Sequence, residues 1–282
     1  MNILFVCSGN TCRSPMAEGY LNSKHISGLH ALSCGFSGEG AGASENAVTV
    51  MKEIGVDISE HKSRFVSSDL LCADKIFCMG EAHKNALAAA GVPAGKLFVL
   101  GGGISDPYGQ STEVYRECRD EIISATDSAL YGGEMLPVKI LPADKNDIRN
   151  IAVLEKQTFS SPWSENAVLE GMEHNTVFFK ATENGEFLGY IGVTAVAGEG
   201  YINNIAVKEK RRGTGVGSLL LDRAVTFARA ENLGFLSLEV RKSNAAAISL
   251  YEKLGFRVEG ERKGFYDDPK EDGIIMTRRL TI

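Results

Sequence analysis

The first fifteen residues, MNILFVCSGNTCRSP (residues 1–15), decide the fold of the N-terminal half. Residues 2–6 form a continuous apolar run, which predicts a strand buried on both faces. Residues 14–24 predict a helix that Ser14 caps, with Pro15 at its first position. The residues between them therefore form a tight connection from the end of a strand to the start of a helix.

The spacing of Cys7 and Arg13 in this connection suits phosphate chemistry. At a helix N-terminus, successive backbone N–H groups can point inward and form a cradle for an anion. Arg13 can close the cradle by binding two phosphoryl oxygens, and the same positive potential favours a Cys7 thiolate able to attack phosphorus. Gly9 is expected to supply backbone freedom, and Ser14 to donate to the thiolate. The predicted phosphate-binding residues are Ser8, Gly9, Asn10, Thr11, Cys12 and Ser14.

A proton donor for a leaving group is expected at Asp106, within Asp106-Pro107-Tyr108-Gly109. This carboxylate lies on a turn, and Pro107 restrains the backbone of that turn. The same carboxylate can later act as a base toward water. The alternative is that Cys7 is a buried strand-end residue, Arg13 a surface charge and Asp106 a turn former. The complete string with its downstream Asp-Pro is far more specific than a lone Cys-x5-Arg match.

Two further features near this motif have more than one interpretation. Cys12 can either form a reversible protective disulfide with Cys7 or serve as a small buried residue. His61 and His83 are interpreted as structural or surface residues.

Composition and charge limit the possible domain organisation, partners and location of the protein. A chain of 282 residues favours two domains of ordinary length. The segment up to residue 136 holds 10 Lys and Arg against 16 Asp and Glu, and all six cysteines. That balance argues against nucleic acid as a partner, and no apolar run is long enough for a membrane span. Paired Cys-x-x-Cys spacing is absent, so no metal is expected, and a cytoplasmic location follows from the lack of a signal peptide.

The order of predicted elements changes near residue 136. Before it, strands at 75–79 and 97–100 alternate with helices at 44–55 and 110–130, which predicts an α/β domain with a doubly wound parallel sheet. A Gly-Gly pair and a proline at 131–137 then mark a linker. We therefore expect domains at residues 1–136 and 137–282.

The second domain is predicted to be a mixed, mostly antiparallel α+β structure. The turn dipeptide Asn184-Gly185 predicts a hairpin of two strands. The predicted strands are 138–141, 176–181, 187–196, 201–207, 235–240 and 274–279, and the predicted helices are 145–158, 216–231 and 244–254.

A glycine-rich loop between a strand and a helix is the first chemical signal of this domain. Arg212-Gly213-Thr214-Gly215-Val216-Gly217 can bind a pyrophosphate through backbone N–H groups and the helix dipole. The ligand is then coenzyme A or a dinucleotide, and the alternative is a plain tight turn. Because residues 208–211 separate the glycines from the strand, the arrangement departs from a dinucleotide-binding site.

Glu239 and Tyr251 form the second signal. Glu239 lies near the end of a predicted strand and Tyr251 on the helix that follows. A carboxylate and a phenol on facing elements can divide acid–base work, one deprotonating an ammonium and the other protonating a departing thiolate. Asn244 is positioned as the N-cap of that helix and can also bind the cofactor. The alternative is a core tyrosine and a solvated glutamate.

The Cys7–Ser14 string with Asp106-Pro107 resembles the low-molecular-weight protein-tyrosine-phosphatase family over roughly residues 1–134. The resemblance implies a Cys7 nucleophile, phosphate-binding Arg13 and a general acid at Asp106, acting on phosphorylated proteins. Within that family, Thr11 implies a preference for phosphoarginine over phosphotyrosine. The glycine-rich segment before Asp106 looks shortened, so a tyrosine phosphatase or an inactive binding module is the alternative.

Residues 138–282 resemble the GNAT superfamily, and more closely its ribosomal-protein-alanine N-acetyltransferases. The matching pieces are 159–164 (FSSPWS), 238–256 (LEVRKSNAAAISLYEKLGF) and, near the end, Tyr266, Pro269 and Glu271-Asp272. The resemblance implies a Glu239 base, a Tyr251 acid and acetyl-CoA as cosubstrate. The acceptor would be the N-terminal alanine of a small-subunit ribosomal protein, or alternatively a lysine or small amine. Trp163 and Tyr266 either line the peptide cleft or pack in the core. The implied acetyl-CoA contacts are Ile205, Ala206, Val207, Arg212, Gly213, Thr214, Gly215, Val216, Gly217, Ser218 and Asn244.

Overall fold

The computed structural model describes residues 1–280, and the chain divides into two compact units, Met1–Leu136 and Pro137–Ile282. The last two residues of the second predicted domain, 281 and 282, lie outside the described residues. None of the helices within residues 1–280 combines the length and apolar character that crossing a bilayer requires.

The first unit is a parallel four-stranded sheet with helices around it, in the strand order β2-β1-β3-β4. This confirms the predicted α/β class. The strands are β1 (Asn2–Cys7), β2 (His30–Gly35), β3 (Lys75–Cys78) and β4 (Leu97–Val99). The helices are α1 (Arg13–Ser23), α2 (Glu45–Glu53), α3 (Ser68–Leu71), α4 (Glu81–Ala89) and α5 (Thr112–Tyr131).

The position of β1 in this sheet determines where the site lies. Ile3, Leu4, Phe5 and Val6 are fully buried, so the apolar run forms the central strand as predicted. The chain leaves β1 toward β2 on one side and returns to β3 on the other. A crevice therefore opens beyond the C-terminal end of β1, the usual ligand position in such sheets. Cys7 is the last residue of the strand.

The start of α1 differs from the prediction. The helix begins at Arg13 with Cys12 as its N-cap, and Ser14 is its second residue. The Ser14 hydroxyl lies 3.0 Å from the Cys7 thiol and accepts from the Asn10 side chain at 2.9 Å. Because that hydroxyl is engaged inside the loop, the prediction that Ser14 caps the helix was wrong.

Three elements of the first unit were not predicted: β2, α3 and α4. Helix α3 has four residues and none of them is buried. Strand β2 carries exposed His30 and a mixed sequence, HALSCG, so its apolar pattern is weak. In helix α4, Leu87 is the one buried residue among those described. The helix therefore shows little hydrophobic periodicity in the sequence.

The second unit has a seven-stranded sheet in the order β10-β11-β9-β8-β7-β6-β5. All neighbouring strands are antiparallel except β8 and β9, which confirms the mixed α+β prediction. The strands are β5 (Lys139–Pro142), β6 (Thr176–Glu183), β7 (Glu186–Val196), β8 (Glu199–Val207), β9 (Phe235–Arg241), β10 (Arg257–Asp267) and β11 (Lys270–Arg279). The helices are α6 (Ile148–Thr158), α7 (Glu165–Glu173), α8 (Val216–Ala230) and α9 (Ala245–Lys253).

The parallel contact between β8 and β9 is short. Within the described residues the two strands pair at Gly200–Leu236 and at Tyr201–Ser237 alone. Beyond these pairs both strands continue, β8 to Val207 and β9 to Arg241, without further pairing to each other in this part of the chain. A register shift between β7 and β8 near Asn203 accompanies the divergence. The sheet therefore opens toward the start of α8.

Strand β10 was missed by the sequence analysis, and β11 is longer than predicted. Most residues of β10 are exposed or half-exposed, so the strand lacks the apolar alternation that marks a half-buried strand. The helix predicted at 145–158 begins with a short 3-10 turn, Lys145–Asp147, before α6.

Gly35 at the end of β2 supports the loop that follows β1. A Cβ at this position would lie 2.7 Å from the Ser8 carbonyl oxygen and 2.8 Å from the Asn10 nitrogen. We therefore expect Gly35→Ala to destabilise the first unit by about 1–3 kcal/mol, the usual cost of overpacking. Thermal unfolding of the full chain measures this. Gly42→Ala is the matched control, because a Cβ at Gly42 meets no described atom within 4 Å. Equal melting temperatures for the two variants would contradict the expectation.

Candidate active sites

The Cys7 thiol lies at the bottom of the loop that joins β1 to α1. Its sulfur accepts a hydrogen bond from the Asn10 backbone N–H at 3.2 Å and lies 3.0 Å from the Ser14 hydroxyl. Cys7 is 3% exposed and Ser14 fully buried. The structure thus brings Cys7, Asn10 and Ser14 together, and both neighbours can donate to a thiolate.

Most of the loop's carbonyl groups point away from the thiol. The Ser8 oxygen accepts from Phe36 and Ser37 N–H groups, at 2.8 and 2.9 Å. The Asn10 oxygen accepts from His61 Nε2 at 2.9 Å, and the Thr11 oxygen accepts from Ser44 N–H at 2.8 Å. In a planar trans peptide, a carbonyl group and the N–H group of the following residue point in opposite directions. The N–H groups of residues 9, 11 and 12 therefore face the inside of the loop, as an anion cradle requires.

Asn10, and not Gly9, adopts the left-handed backbone conformation in this loop. Asn10 has a φ of 51°, whereas Gly9 has room for a Cβ at an ordinary 3.5 Å contact. The prediction that Gly9 supplies the needed freedom was therefore wrong. Asparagine tolerates the left-handed region, and here its buried amide donates to the hydroxyls of Ser14 and Ser33 at 2.9 and 2.7 Å. The Asn10 side-chain oxygen accepts a hydrogen bond from the Arg64 backbone N–H at 2.8 Å.

Arg13 connects the loop to Asp106. One guanidinium nitrogen donates to the Ile104 carbonyl oxygen at 3.2 Å, and another forms an ion pair with the Asp106 carboxylate. Arg13 is buried, and its Nε has no partner among the described residues. The segment before Asp106 is tied down by a hydrogen bond from Ile104 N–H to the Met79 oxygen at 2.9 Å. The predicted phosphate ligand and the predicted acid therefore lie side by side.

Other cysteines of the unit differ from Cys7 in their surroundings. Burial raises the pKa of Cys34, Cys78 and Cys118 to about 12, so these thiols stay protonated. Cys12 is a free buried thiol that lies 3.1 Å from the Tyr115 hydroxyl and 3.5 Å from the Ser44 hydroxyl. These contacts fit the small buried residue, one of the two interpretations of Cys12.

Two histidines border the loop. His61 Nε2 donates to the Asn10 carbonyl oxygen, and burial lowers the pKa of His61. His83 Nε2 lies 2.9 Å from the Ser8 hydroxyl, and its ring stacks on Phe36 with centroids 6.0 Å apart. Burial is the main cause that lowers the pKa of His83, followed by nearby Arg13. Both histidines contact the loop, a role that sequence spacing alone does not reveal.

In the second unit, the glycine loop ends at the start of α8. Gly213 and Gly215 have φ values of 74° and 90°, and Gly215 is the N-cap. No side chain among the described residues caps α8, and a Cβ at Gly213 would meet no described atom within 4 Å. The first N–H groups of α8 therefore have no side-chain acceptor among the described residues, and the first turn of the helix lies close to Val207 at the end of β8. An anionic pyrophosphate fits such an end.

The side chains around this loop hold it to β8. Arg212 Nε donates to the Val207 oxygen at 3.1 Å, and the Thr214 hydroxyl donates to the Arg211 oxygen at 2.8 Å. Asn244 caps α9, accepting from Ala247 N–H at 3.2 Å, which confirms its predicted N-cap position. The other residues predicted to contact acetyl-CoA lie on the end of β8 (Ile205, Ala206, Val207) or on the first turn of α8 (Val216, Gly217, Ser218).

The predicted acid and base lie in different environments. Glu239 is exposed on β9 and forms an ion pair with Arg262 at 2.9 Å. Tyr251 is 6% exposed on α9, and burial, with a smaller contribution from Tyr266, raises its pKa. A raised pKa keeps the phenol protonated at neutral pH, as a general acid requires. Burial raises the pKa of Tyr266; the nearby Arg241 opposes this shift and Glu239 adds to it.

Trp163 is held by a buried carboxylate that sequence reasoning missed. Glu155 on α6 is fully buried and accepts from Trp163 N–H and from Asn204 Nδ2, each at 2.8 Å. Tyr190 also donates to this carboxylate. Burial raises the pKa of Glu155. A lone glutamate within an amphipathic helix gives no sequence signal for such a role.

Two family models match the chain. The low molecular weight phosphotyrosine protein phosphatase model matches residues 2–131, and the acetyltransferase (GNAT) family model matches residues 146–256. The chain belongs to both families, one in each half. Residues 1–136 are the phosphatase unit and residues 137–282 the acetyltransferase unit.

Curated relatives agree with each assignment. The phosphatase unit is 39% identical over 134 residues to a protein-arginine-phosphatase from Geobacillus stearothermophilus, covering 44% of this chain and 90% of that protein. The acetyltransferase unit is 35% identical over 131 residues to the [ribosomal protein bS18]-alanine N-acetyltransferase of Escherichia coli strain K12, covering 46% of this chain and 88% of that protein. The enzyme of the same name from Haemophilus influenzae is 31% identical over 133 residues, covering 46% of this chain and 90% of its own length.

Within residues 1–280, no group of three or more His, Cys, Asp or Glu side chains is arranged to hold a metal ion.

The buried His61 makes the stability of the phosphatase unit depend on pH. Its pKa in the fold lies below the ordinary 6.5, so an unfolded chain takes up the proton first as the pH falls. Stability is therefore present above pH 6.5 and is lost as the pH falls through the folded pKa. We expect His61→Gln, which keeps an N–H donor for Asn10 but does not titrate, to lose less stability than wild type on acidification.

Thermal unfolding at several pH values between neutral and mildly acidic measures this difference. His30→Gln is the control, because His30 is exposed on β2. Identical pH dependence in wild type and His61→Gln would show that His61 does not contribute.

Proposed function

We propose that this chain is a bifunctional enzyme, with a protein phosphatase at residues 1–136 and an N-terminal alanine acetyltransferase at residues 137–282. The buried Cys7 thiol, surrounded by inward-facing amides and Ser14, carries the first assignment. The N-terminus of α8 beside the gap between β8 and β9 supports the second. A cytoplasmic setting is part of this proposal, because the acetyltransferase relatives are named for a ribosomal protein.

In the phosphatase reaction, the Cys7 thiolate attacks phosphorus and forms an S–P bond while the bond to the leaving group breaks. The inward N–H groups and Arg13 stabilise the charge on the phosphoryl oxygens. Asp106 gives its proton to the leaving atom. A water then attacks the phosphocysteine with Asp106 as base, which releases phosphate and restores the thiolate, to which Ser14 donates.

The ion pair between Arg13 and Asp106 sets the order of events. The phosphoryl oxygens of a substrate compete with the Asp106 carboxyl for the same guanidinium. Substrate binding must therefore turn Arg13 from Asp106 to the phosphoryl oxygens, which frees Asp106 to face the leaving atom. The exposed Asp106 side chain, at 49% of its surface, leaves room for that change.

Phosphoarginine is the substrate we favour for this unit. Thr11 occupies the loop, half-buried, with its hydroxyl 3.6 Å from the Cys12 sulfur. A hydroxyl here can hold water beside the phosphocysteine. The relative named a protein-arginine-phosphatase supports the same choice.

Phosphate release from matched phosphoarginine and phosphotyrosine peptides tests this choice. We expect preference for phosphoarginine, its reduction in Thr11→Val, and loss of all release in Cys7→Ser, because a hydroxyl is a far weaker nucleophile than a thiolate. Preference for phosphotyrosine would support the tyrosine-phosphatase alternative. Activity on neither peptide, in a folded protein, would favour a binding module.

In the acetyltransferase unit, the diverging ends of β8 and β9 and the first turn of α8 would hold acetyl-CoA. Acetyl-CoA supplies the activated acetyl group. Glu239 accepts a proton from the ammonium of the acceptor, so that its nitrogen lone pair becomes available. Tyr251, kept protonated by burial, donates the proton that the departing thiolate needs. Because Glu239 pairs with Arg262, the acceptor ammonium must compete with that guanidinium for the carboxylate.

Acetylation of alanine-starting peptides against lysine-containing peptides with a blocked N-terminus tests the acceptor. We expect the alanine peptide to be preferred, and Glu239→Gln to lose about 10²–10⁴-fold in kcat, the usual contribution of a general base. Tyr251→Phe should fall similarly while acetyl-CoA still binds. Glu259→Gln is the control, since Glu259 pairs with Arg279 on the same sheet. Preference for the lysine peptide would replace the alanine assignment.

A further inference from the structure

Arg241 is a residue of the acetyltransferase unit to which the proposed chemistry assigns no role. It ends β9, two residues after Glu239, and the alternating burial along the strand places both on the same face. Its side chain is 23% exposed. A charged group so placed needs partners, and its guanidinium finds them on other segments.

The first partner segment is the turn between β10 and β11. Arg241 Nη2 donates to the Asp268 carbonyl oxygen at 2.7 Å, and Nη1 donates to the Pro269 carbonyl oxygen at 2.9 Å. Nη1 also donates to the Glu271 carboxylate at 3.2 Å. The guanidinium carbon lies 4.3 Å from the centroid of the Tyr266 ring. One side chain thus fixes both strands next to their turn.

The second partner segment is the connection between α6 and α7. Arg241 Nη2 donates to the Ser160 hydroxyl at 3.1 Å. Ser160 lies three residues before Trp163, whose N–H is held by Glu155. The connection is therefore anchored at two points, one on β9 and one on the buried carboxylate of α6.

Arg241 lies two residues from Glu239 on the same face of β9, and the ring of Tyr266 rests on the Arg241 guanidinium. The contacts of Arg241 therefore lie beside Glu239. We propose that Arg241 is a positioning residue for the acetyl acceptor, holding Tyr266 and the Trp163 connection as the walls between which the acceptor reaches Glu239. This inference rests on the acetyltransferase function proposed above.

The cofactor side does not depend on Arg241 in the same way. Glu271 also accepts from the Ser243 N–H, and Asn244 caps α9 through Ala247. Neither of these two contacts involves the Arg241 guanidinium. We therefore expect loss of Arg241 to weaken acceptor binding and to leave acetyl-CoA binding nearly unchanged.

Steady-state kinetics of the full chain with an alanine-starting peptide and acetyl-CoA test this separation. We expect Arg241→Ala to raise the acceptor KM by about tenfold or more, from the loss of charge-assisted hydrogen bonds, and to change the acetyl-CoA KM by less than about twofold. Ser160→Ala should raise the acceptor KM by a smaller factor. Arg279→Ala is the matched control: Arg279 pairs with Glu259 at 3.0 Å and lies 6.0 Å from the Phe235 ring, on the same sheet.

A spectroscopic readout is independent of activity. Trp163 is the single tryptophan of the chain, so its quenching by acrylamide reports the α6–α7 connection alone. We expect quenching to increase in Arg241→Ala and in Ser160→Ala and to stay at the wild-type value in Arg279→Ala. If circular dichroism shows that Arg241→Ala is unfolded, Ser160→Ala decides, because Ser160 is exposed and its hydroxyl supports no core contact.

Three results would overturn the inference: equal rises in the two KM values, an unchanged acceptor KM in folded Arg241→Ala, or the same loss in Arg279→Ala. Wild-type protein that acetylates no alanine peptide would instead refute the proposed function. In that case the Trp163 measurement still decides, and unchanged quenching in Arg241→Ala and Ser160→Ala would exclude the positioning role.

Discussion

Backbone N–H groups at the start of a helix have no acceptor within the helix, and both units are built around that constraint. Helices α2, α7 and α9 satisfy it with side chains of Ser44, Ser164 and Asn244. Helices α1, α4, α5, α6 and α8 receive no side-chain cap from the described residues. Among these, α1 and α8 each follow a strand at a place where the sheet opens. The free N–H groups at the start of both helices attract anions. One unit belongs to a phosphatase family, and the other belongs to a family whose acetyl donor carries phosphate groups.

The parts that depend on neighbouring residues in the chain could be predicted from the sequence. The strand, loop and helix around Cys7 follow from a short string, and so do the Gly213–Gly215 turn and the Asn244 cap. The position of Ser14 could not, because its hydroxyl turns to Cys7 and to Asn10. The tight packing under Gly35 depends on atoms of residues 8–10, which lie far away in the sequence. Strand β10 was missed because its residues are mostly exposed, so hydrophobic periodicity carries no signal there.

The ion-pair partners of the proposed catalytic groups also could not be predicted from the sequence. Asp106 pairs with Arg13, and Glu239 pairs with Arg262, each across a long separation in the chain. Such pairs give each carboxylate a counter-ion. Under the proposed mechanisms both pairs would be exchanged for substrate contacts, which would couple the chemistry of each unit to a change of ion-pair partner. That coupling arises from tertiary contacts, and residue type alone does not indicate it.

The short pairing of β8 with β9 has a thermodynamic consequence. In the described part of the chain, the ends of β8 and β9 beyond Tyr201 and Ser237 do not pair with each other, although a continuous ladder there would contribute to stability. A ligand that lay in this gap and offered amide groups would add to the ladder, and it would bind the folded unit alone. The melting temperature of the acetyltransferase unit then becomes a measure of the free ligand concentration around it, rising logarithmically as the ligand accumulates.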